Sequence, residues 1–111
     1  MSAIILTFTP RPANRMTRQD RYDALDWVYG DGKRGYTRLL FETSGDDHDL
    51  EMGDYLLFYG AGQMWYSWGI CRRGGKYVLW RASDGRNFAA TATIREALAA
   101  IPPFPARRLR A

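Results

Sequence analysis

Four short runs rich in β-branched and aromatic residues, separated by glycine-containing turns, constrain the fold of this chain most. The runs are YTRLLFET (36–43), DYLLFYG (54–60), MWYSWGIC (64–71) and KYVLWRA (76–82). Runs of this length and composition, bounded by turn residues, are typical of β-strands. The connections after the second and third runs are only a few residues long, whereas parallel strands need a crossover of a dozen residues or more. The sequence therefore predicts an antiparallel meander.

The N-terminal part of the chain predicts one strand followed by one helix. AIILTFT, at 3–9, is β-rich, and the prolines that follow it break regular structure. Thr17 and Asp20 have the three-residue spacing of a helix-capping pair, and Gly30 supplies a stop for a helix over 17–29. The same segment also fits a strand with alternate apolar residues on one face, so a strand stays open as the alternative.

The C-terminal part of the chain predicts a second helix and a short basic tail. Thr93 and Glu96 have the spacing of a capping box, IREALAAI places its apolar residues along one stripe, and the proline pair that follows prevents continuation. The expected fold class is α+β, ordered β-α-β-β-β-β-α, with a four- to five-stranded antiparallel sheet that carries two helices on one face. Residues 1–104 are expected to form a single α+β domain, followed by a basic tail at 105–111.

The cysteine and histidine content limits the chemistry that one chain can perform. Cys71 is the only cysteine and His48 the only histidine, so neither an intramolecular disulfide nor a zinc site built from paired thiolates can form. The apolar stretch near the N-terminus covers only six residues, far fewer than the roughly 20 that a membrane span needs. These features predict a cytoplasmic protein that does not enter a membrane.

Two motifs have a chemical interpretation, and both are weak. GDGKRG, at 30–35, matches the G-x-G-x-x-G pattern, but the strand predicted after it replaces the helix N-terminus that would bind a pyrophosphate. GDDHDLEMGD, at 45–54, places carboxylates around His48 but lacks the ligand spacing of a calcium loop. We therefore expect no catalytic residue, no metal site and no cofactor.

Positive charge is concentrated in the C-terminal half of the chain. Residues 42–54 carry six acidic residues and no basic one, whereas residues 55–111 carry nine basic residues and two acidic ones. A basic region of this kind favours an acidic partner, of which nucleic acid is one.

The stretch WYSWGICRRGGKYVLWR, at 65–81, combines tryptophans with cations and is the predicted binding site. Alternation along its two strands puts large apolar groups on both faces of the sheet. Because two short helices cover only one face, the other face is covered by the TPRPANRM segment (9–16), buried in a homodimer or open to a partner, and we take an open face as the hypothesis. The predicted contact residues are the anchors Trp65, Trp68 and Trp80 and the cations Arg72, Arg73, Lys76, Arg81 and Arg86.

The function expected from these features is non-catalytic binding. The first hypothesis is a protein-interaction module, such as an inhibitor or adaptor of the kind that mobile elements encode against a nucleoprotein complex. Direct binding of single-stranded nucleic acid is the second, since bases stack on exposed aromatic rings and arginine binds the backbone. A homodimer that buries the aromatic face and a small-ligand domain or enzyme of unknown class are the remaining alternatives.

Overall fold

The computed structural model of the protein describes residues 14–31, 34–43 and 53–105. These residues form two helices and five strands, with the strands between the helices in the chain. The strands are β1 (Tyr36–Thr43), β2 (Asp54–Gly60), β3 (Trp68–Arg73), β4 (Lys76–Arg81) and β5 (Asn87–Thr91); the helices are α1 (Arg18–Leu25), which continues as a π-helical turn over Asp26–Asp31, and α2 (Ile94–Ala100).

All five strands form one antiparallel sheet in chain order, β1-β2-β3-β4-β5. Gly74 and Gly75 make the two-residue turn between β3 and β4, and both have a positive φ, which residues with a side chain rarely adopt. The α+β fold class and the antiparallel meander predicted from the sequence are therefore confirmed.

Both helices begin at the capping boxes that the sequence predicts. In α1 the backbone N–H of Asp20 donates to Thr17 Oγ1 at 3.0 Å, and the Thr17 N–H donates to the Asp20 carboxylate at 3.0 Å. Thr93 and Glu96 make the same reciprocal pair at the start of α2. The helix prediction for the first of these segments is confirmed and its strand alternative is wrong, although a π-helical turn carries the helix one residue beyond the predicted stop.

Both helices pack on one face of the sheet, which we call the helix-covered face. Leucine, isoleucine and aromatic side chains that alternate along the strands meet the apolar stripes of the two helices there. Full burial of one such side chain contributes about 1.5–3 kcal/mol to folding. The centre of this core consists of Leu56, Phe58, Ile70 and Leu79 from the sheet, and Ala24, Val28, Ala97 and Leu98 from the helices.

Two strands differ from the sequence-based prediction. The run 64–71 enters the sheet only at Trp68, because the chain first turns after β2, where the Gln63 N–H donates to the Gly60 carbonyl at 3.0 Å. Residues 87–91, for which the sequence predicts no strand, pair with β4 as β5. Their sequence, NFAAT, is poor in β-branched residues, so the pairing with β4 stabilises a strand that local propensity does not indicate.

Several predicted features fall outside the residues that the structure describes. They are the strand at 3–9, the acidic residues around His48, and all but the first residue of the tail at 105–111. Among the described residues, no helix has the length and apolar character that spanning a membrane requires.

Asp54 ties the segment before α1 to the start of β2. Its carboxylate accepts a hydrogen bond from the Met16 N–H at 2.8 Å and forms an ion pair with Arg15 at 3.0 Å. Burial alone would raise the pKa of Asp54, but hydrogen bonds from Thr43, Met16 and Arg15, together with the Arg15 charge, outweigh it and hold the pKa below its usual value.

Acidification is expected to remove the stabilisation that Asp54 provides. Because its folded-state pKa is depressed, its contribution is fully present above the unfolded-state pKa of about 3.9 and is lost as the pH falls through the folded-state pKa. Asp54→Asn should lower the free energy of unfolding by about 1–3 kcal/mol at pH 7 and should flatten its decline below about pH 4. Thermal unfolding at several pH values measures both effects, with Glu42→Gln on the exposed part of β1 as the control. Parallel pH profiles of wild type and Asp54→Asn would contradict this assignment.

Candidate binding face

The sheet face opposite the helices carries a group of aromatic rings, and we call it the aromatic face. The pairings Tyr55↔Cys71 and Gly69↔Trp80 set which residues point to this side. In the part of the chain that the structure describes, both helices lie on the other side. The aromatic face consists of Tyr55, Leu57 and Tyr59 from β2, Gly69, Cys71 and Arg73 from β3, and Lys76, Val78 and Trp80 from β4.

Trp80 lies across the sheet because its neighbour on β3 has no side chain. A Cβ atom on Gly69 would lie only 2.1–2.4 Å from the Cζ2, Cε2 and Cη2 atoms of the Trp80 ring. One side of the indole therefore contacts the backbone of β3, and the other side is turned away from the sheet. The indole Nε1–H donates to the Tyr66 hydroxyl at 3.3 Å, which fixes the orientation of the ring.

The rings on this face form a continuous cluster centred on Tyr66. Its ring centroid lies 6.2 Å from that of Trp80 and 6.4 Å from that of Tyr59, both in edge-to-face geometry. Tyr55 extends the cluster on the far side of Trp80 at 6.4 Å, and Trp65 extends it beyond Tyr66 at 5.6 Å. Tilted and edge-to-face pairs of this kind each contribute about 0.5–1.5 kcal/mol beyond area burial, so the rings of the cluster stabilise one another.

Three cations border the ring cluster. The guanidinium of Arg38, on β1, lies 4.0 Å from the centroid of the Tyr59 ring. Arg73 and Lys76 pair with each other across the glycine turn between β3 and β4, where both are exposed. Neither forms an ion pair with any residue that the structure describes. The hairpin tip of the aromatic face is therefore positively charged and accessible.

A groove of about 350 Å³ separates part of the ring cluster from the start of β5. Burial raises the pKa of the Cys71 thiol in its wall, so the thiol stays protonated near neutral pH and is a poor nucleophile. Burial and the charge of Glu42 raise the pKa of Tyr55, so its hydroxyl stays available as a hydrogen-bond donor. The groove is suited to non-covalent binding, and its lining residues are Tyr55, Tyr66, Cys71, Arg73, Trp80, Gly85 and Asn87.

Four of the predicted contact residues lie together on or beside this face. Trp80 is part of the ring cluster, Trp65 projects from the turn before β3 with 72% of its surface exposed, and Arg73 and Lys76 form the hairpin tip. Their association with a partner stays a prediction, but their positions are compatible with one shared contact surface.

The expectation that Trp68 and Arg72 are exposed is wrong. Each has only 8% of its surface exposed, because residues 68, 70 and 72 alternate with those of the aromatic face and point toward the helices. The Trp68 ring packs edge-to-face against Phe88 at 5.1 Å. The side chain of Trp68 therefore belongs to the core.

Arg72 connects backbone segments on the helix-covered face. Its Nη1 donates to the Arg15 carbonyl at 2.8 Å, its Nη2 donates to the Gly75 carbonyl at 3.3 Å, and its guanidinium lies 5.0 Å from the Tyr77 ring centroid. These contacts join the segment before α1 to the β3–β4 hairpin. Arg72 is a structural residue in this arrangement and not a free cation of the hairpin tip.

Arg81 and Arg86 lie away from the hairpin tip. Arg81 ends β4 at the opposite end from Lys76 and forms an ion pair with Asp84 at 2.7 Å. The backbone N–H of Arg86 donates to the same carboxylate at 3.0 Å. The two arginines thus belong to the β4–β5 connection, where Asp84 offsets part of their charge.

Sequence reasoning did not select Arg38, Tyr55, Tyr59 or Tyr66 as site residues. The alternation of Tyr55, Leu57 and Tyr59 in β2 is visible in the sequence and could have indicated a shared face. Placing Arg38 over Tyr59 requires the register of β1 on β2, which no local pattern specifies.

Neither a metal site nor a similarity to known proteins assigns a function to the described residues. Within residues 14–31, 34–43 and 53–105, no group of three His, Cys, Asp or Glu residues is placed to hold a metal ion. No family model, curated protein or solved structure matches the chain. The aromatic face is thus the feature from which a function has to be inferred.

Proposed function

We propose that this protein is a non-catalytic binding module, an inhibitor or adaptor, that attaches to a protein or nucleoprotein partner through the aromatic face. The observation that carries the proposal is a cluster of tyrosine and tryptophan rings on the sheet face that the described helices do not cover. Tyrosine, tryptophan and arginine are the residues most enriched where binding energy concentrates in interfaces.

The exposed turn before β3 carries apolar side chains whose burial would contribute strongly to the free energy of binding. Trp65 is 72% exposed and its neighbour Met64 is 92% exposed. A tryptophan buries on the order of 150–250 Å² of surface, so covering Trp65 would contribute about 3–4 kcal/mol before the costs of association. Because the ring cluster continues from this turn across the sheet, a partner that covers Trp65 also reaches Tyr66 and Trp80.

The cations at the edge of the face constrain the orientation of the partner. Arg73 and Lys76 lie at one end of the ring cluster, at the hairpin tip. Charges on the rim of an interface mainly raise the association rate and suppress partners of the same sign. We therefore expect the partner to be acidic where it meets the hairpin tip and able to pack against aromatic rings beside it.

Site-directed photo-cross-linking tests this proposal. A photo-reactive amino acid in place of Trp65 is expected to cross-link a partner in cells of the source organism, whereas the same group in place of Arg95 on α2, whose side chain is 79% exposed on the other side, is not. Arg73→Glu combined with Lys76→Glu should remove the cross-link from position 65. Arg18→Glu combined with Arg95→Glu changes the net charge equally on the helices and should leave it.

Three outcomes would contradict the proposal. Equal cross-linking from positions 65 and 95 would show that the aromatic face is not the binding surface. Cross-links from position 65 that survive charge reversal would show that the hairpin tip does not take part in binding. A homodimer detected by sedimentation and dissociated by Arg73→Glu with Lys76→Glu would assign the face to self-association instead.

A further inference from the structure

We infer that the part of the partner that occupies the aromatic face is single-stranded nucleic acid, with bases stacked on the rings and phosphates bound by Arg73 and Lys76. This inference rests on the proposed function, because it names the chemistry of the partner at the same face. Three observations support it: the orientation of the Trp80 ring, the positions of Arg73 and Lys76, and the residues that line the groove.

The stacking surface is the outer side of Trp80. Since the ring lies over Gly69, its plane follows the sheet, and the Trp80 side chain is partly exposed. Tyr66 and Tyr55 meet Trp80 at interplanar angles of 78° and 57°, so neither ring is stacked parallel on the indole. A π-surface held in this way accepts any unpaired base, and stacking of this kind is tolerant of sequence.

The phosphate-binding groups lie at one end of the same groove. Arg73 lines the groove that Trp80 also lines, and Lys76 is its cross-strand neighbour. Both are exposed and form no ion pair with the described part of the chain. A strand whose base contacts Trp80 therefore has cations available for its backbone.

The groove favours an unpaired base over the edge of a duplex. Bases in a duplex are stacked inside the helix and present only their edges, whereas single strands present base planes to aromatic side chains. Asn87, Tyr55 and Tyr66 line the groove of about 350 Å³ together with Trp80. Together these groups offer both donors and acceptors, which a base edge requires. An acidic protein segment would satisfy the cations, but it would stack on the Trp80 plane only through an aromatic side chain of its own, whereas every base of a single strand has a flat face.

Fluorescence anisotropy with labelled 12-nucleotide probes tests the inference. The probes are single-stranded DNA, single-stranded RNA, duplex DNA and an abasic strand of equal length, with polyglutamate as the acidic polypeptide. We expect the two single strands to bind at least about tenfold more tightly than the abasic strand and the duplex. With Arg73 and Lys76 as the two phosphate contacts, the slope of log affinity against log salt concentration should be about −1.4.

Three variants localise the binding. Trp65→Ala should weaken single-strand binding about 5- to 30-fold, because Trp65 extends the ring cluster beyond Tyr66 and its exposed side chain contributes little to folding. Arg73→Glu with Lys76→Glu should weaken it about 100-fold or more. Arg18→Glu with Arg95→Glu, which removes the same charge from the helices, should change it less than about twofold.

The results separate failure of this inference from failure of the proposed function. Equal binding of the abasic strand, tighter binding of polyglutamate, or an equal loss in the two charge-reversal variants would overturn single-strand binding at this face. If no oligonucleotide binds but the cross-links from position 65 still depend on Arg73 and Lys76, the inference is wrong and the proposed function stands. If neither the cross-links nor oligonucleotide binding depends on Arg73 and Lys76, both the inference and the proposed function are wrong.

Discussion

Gly69→Ala is expected to lower the free energy of unfolding by about 0.5–2 kcal/mol, although it adds only one methyl group. A Cβ atom at this position would lie 2.1–2.4 Å from three atoms of the Trp80 ring, well inside any allowed contact. Overpacking of this kind typically costs about 1–3 kcal/mol. The backbone entropy gained by replacing glycine, about 0.5–1 kcal/mol, offsets only part of that cost. In a domain of this size the melting temperature should fall by about 5 °C per kcal/mol.

A double-mutant cycle isolates the contact between Gly69 and Trp80. In a Trp80→Ala background the space above Gly69 is empty, so Gly69→Ala should become neutral or stabilise the protein by up to about 1 kcal/mol. Gly30→Ala is the control for glycine replacement, since a Cβ there would meet no atom closer than 4.0 Å. If Gly69→Ala destabilises wild type and the Trp80→Ala variant equally, Trp80 does not lie over Gly69.

Gly69→Ala also connects the stability of the sheet with binding. If the added methyl group lifts the indole, the outer ring plane no longer follows the sheet and the hydrogen bond to the Tyr66 hydroxyl is lost. Single-strand binding should then fall even where the variant remains folded. A variant with wild-type affinity but reduced stability would show that the orientation of Trp80 matters for packing alone.

The elements that the sequence predicts correctly are those with strong local signals. Thr17 and Asp20, and Thr93 and Glu96, carry both helix starts in their own side chains, and β1 and β2 occupy the predicted bounds. These signals depend on residues a few positions apart. Neither tertiary packing nor strand order has to be known before they can be interpreted.

Strand β5 shows where local signals end. Residues 87–91 contain two alanines and an asparagine, which have low β-propensity, and the segment is a strand because β4 offers it an edge. Residues 64–67 show the opposite error, because a local pattern typical of a strand lies in a turn. Met64 and Trp65 belong to an apolar, aromatic run, yet they project from a turn because pairing with β2 begins only at Trp68.

Only part of the candidate site could be predicted, because a side chain's exposure depends on which face of the sheet it points to. Alternation along β3 and β4, combined with the register set by the Gly74-Gly75 turn, places Trp80 and Trp68 on opposite faces, but it does not say which of those faces the helices cover. The sequence prediction counts Arg72 with the hairpin tip because it takes RRGG, 72–75, as the turn, whereas β3 continues through Arg72 and turns its side chain toward the core. Its neighbour Arg73 points the opposite way, so one residue separates a buried structural cation from an accessible one.

The helix-covered face depends on a buried polar contact between Asp20 and Tyr77. The Tyr77 hydroxyl donates to the Asp20 carboxylate at 2.6 Å, and the two residues are 4% and 8% exposed. The same carboxylate oxygen accepts the Thr17 N–H at 3.0 Å as part of the capping box of α1. One side chain therefore satisfies a helix terminus and joins α1 to β4.

Asp20→Ala is accordingly expected to destabilise the protein by about 2–4 kcal/mol. The loss of a helix cap accounts for about 1 kcal/mol, and the hydroxyl of Tyr77, left without this partner in the core, accounts for about 1–3 kcal/mol. Glu96→Ala removes the corresponding residue of the exposed capping box in α2, so it should cost about 1 kcal/mol or less. Urea unfolding of both variants measures the difference.

In a Tyr77→Phe background the cost of Asp20→Ala should fall toward that of Glu96→Ala, because no buried hydroxyl remains to be satisfied. An unchanged cost would assign the stabilisation to the helix cap and remove the contact with β4 from the explanation.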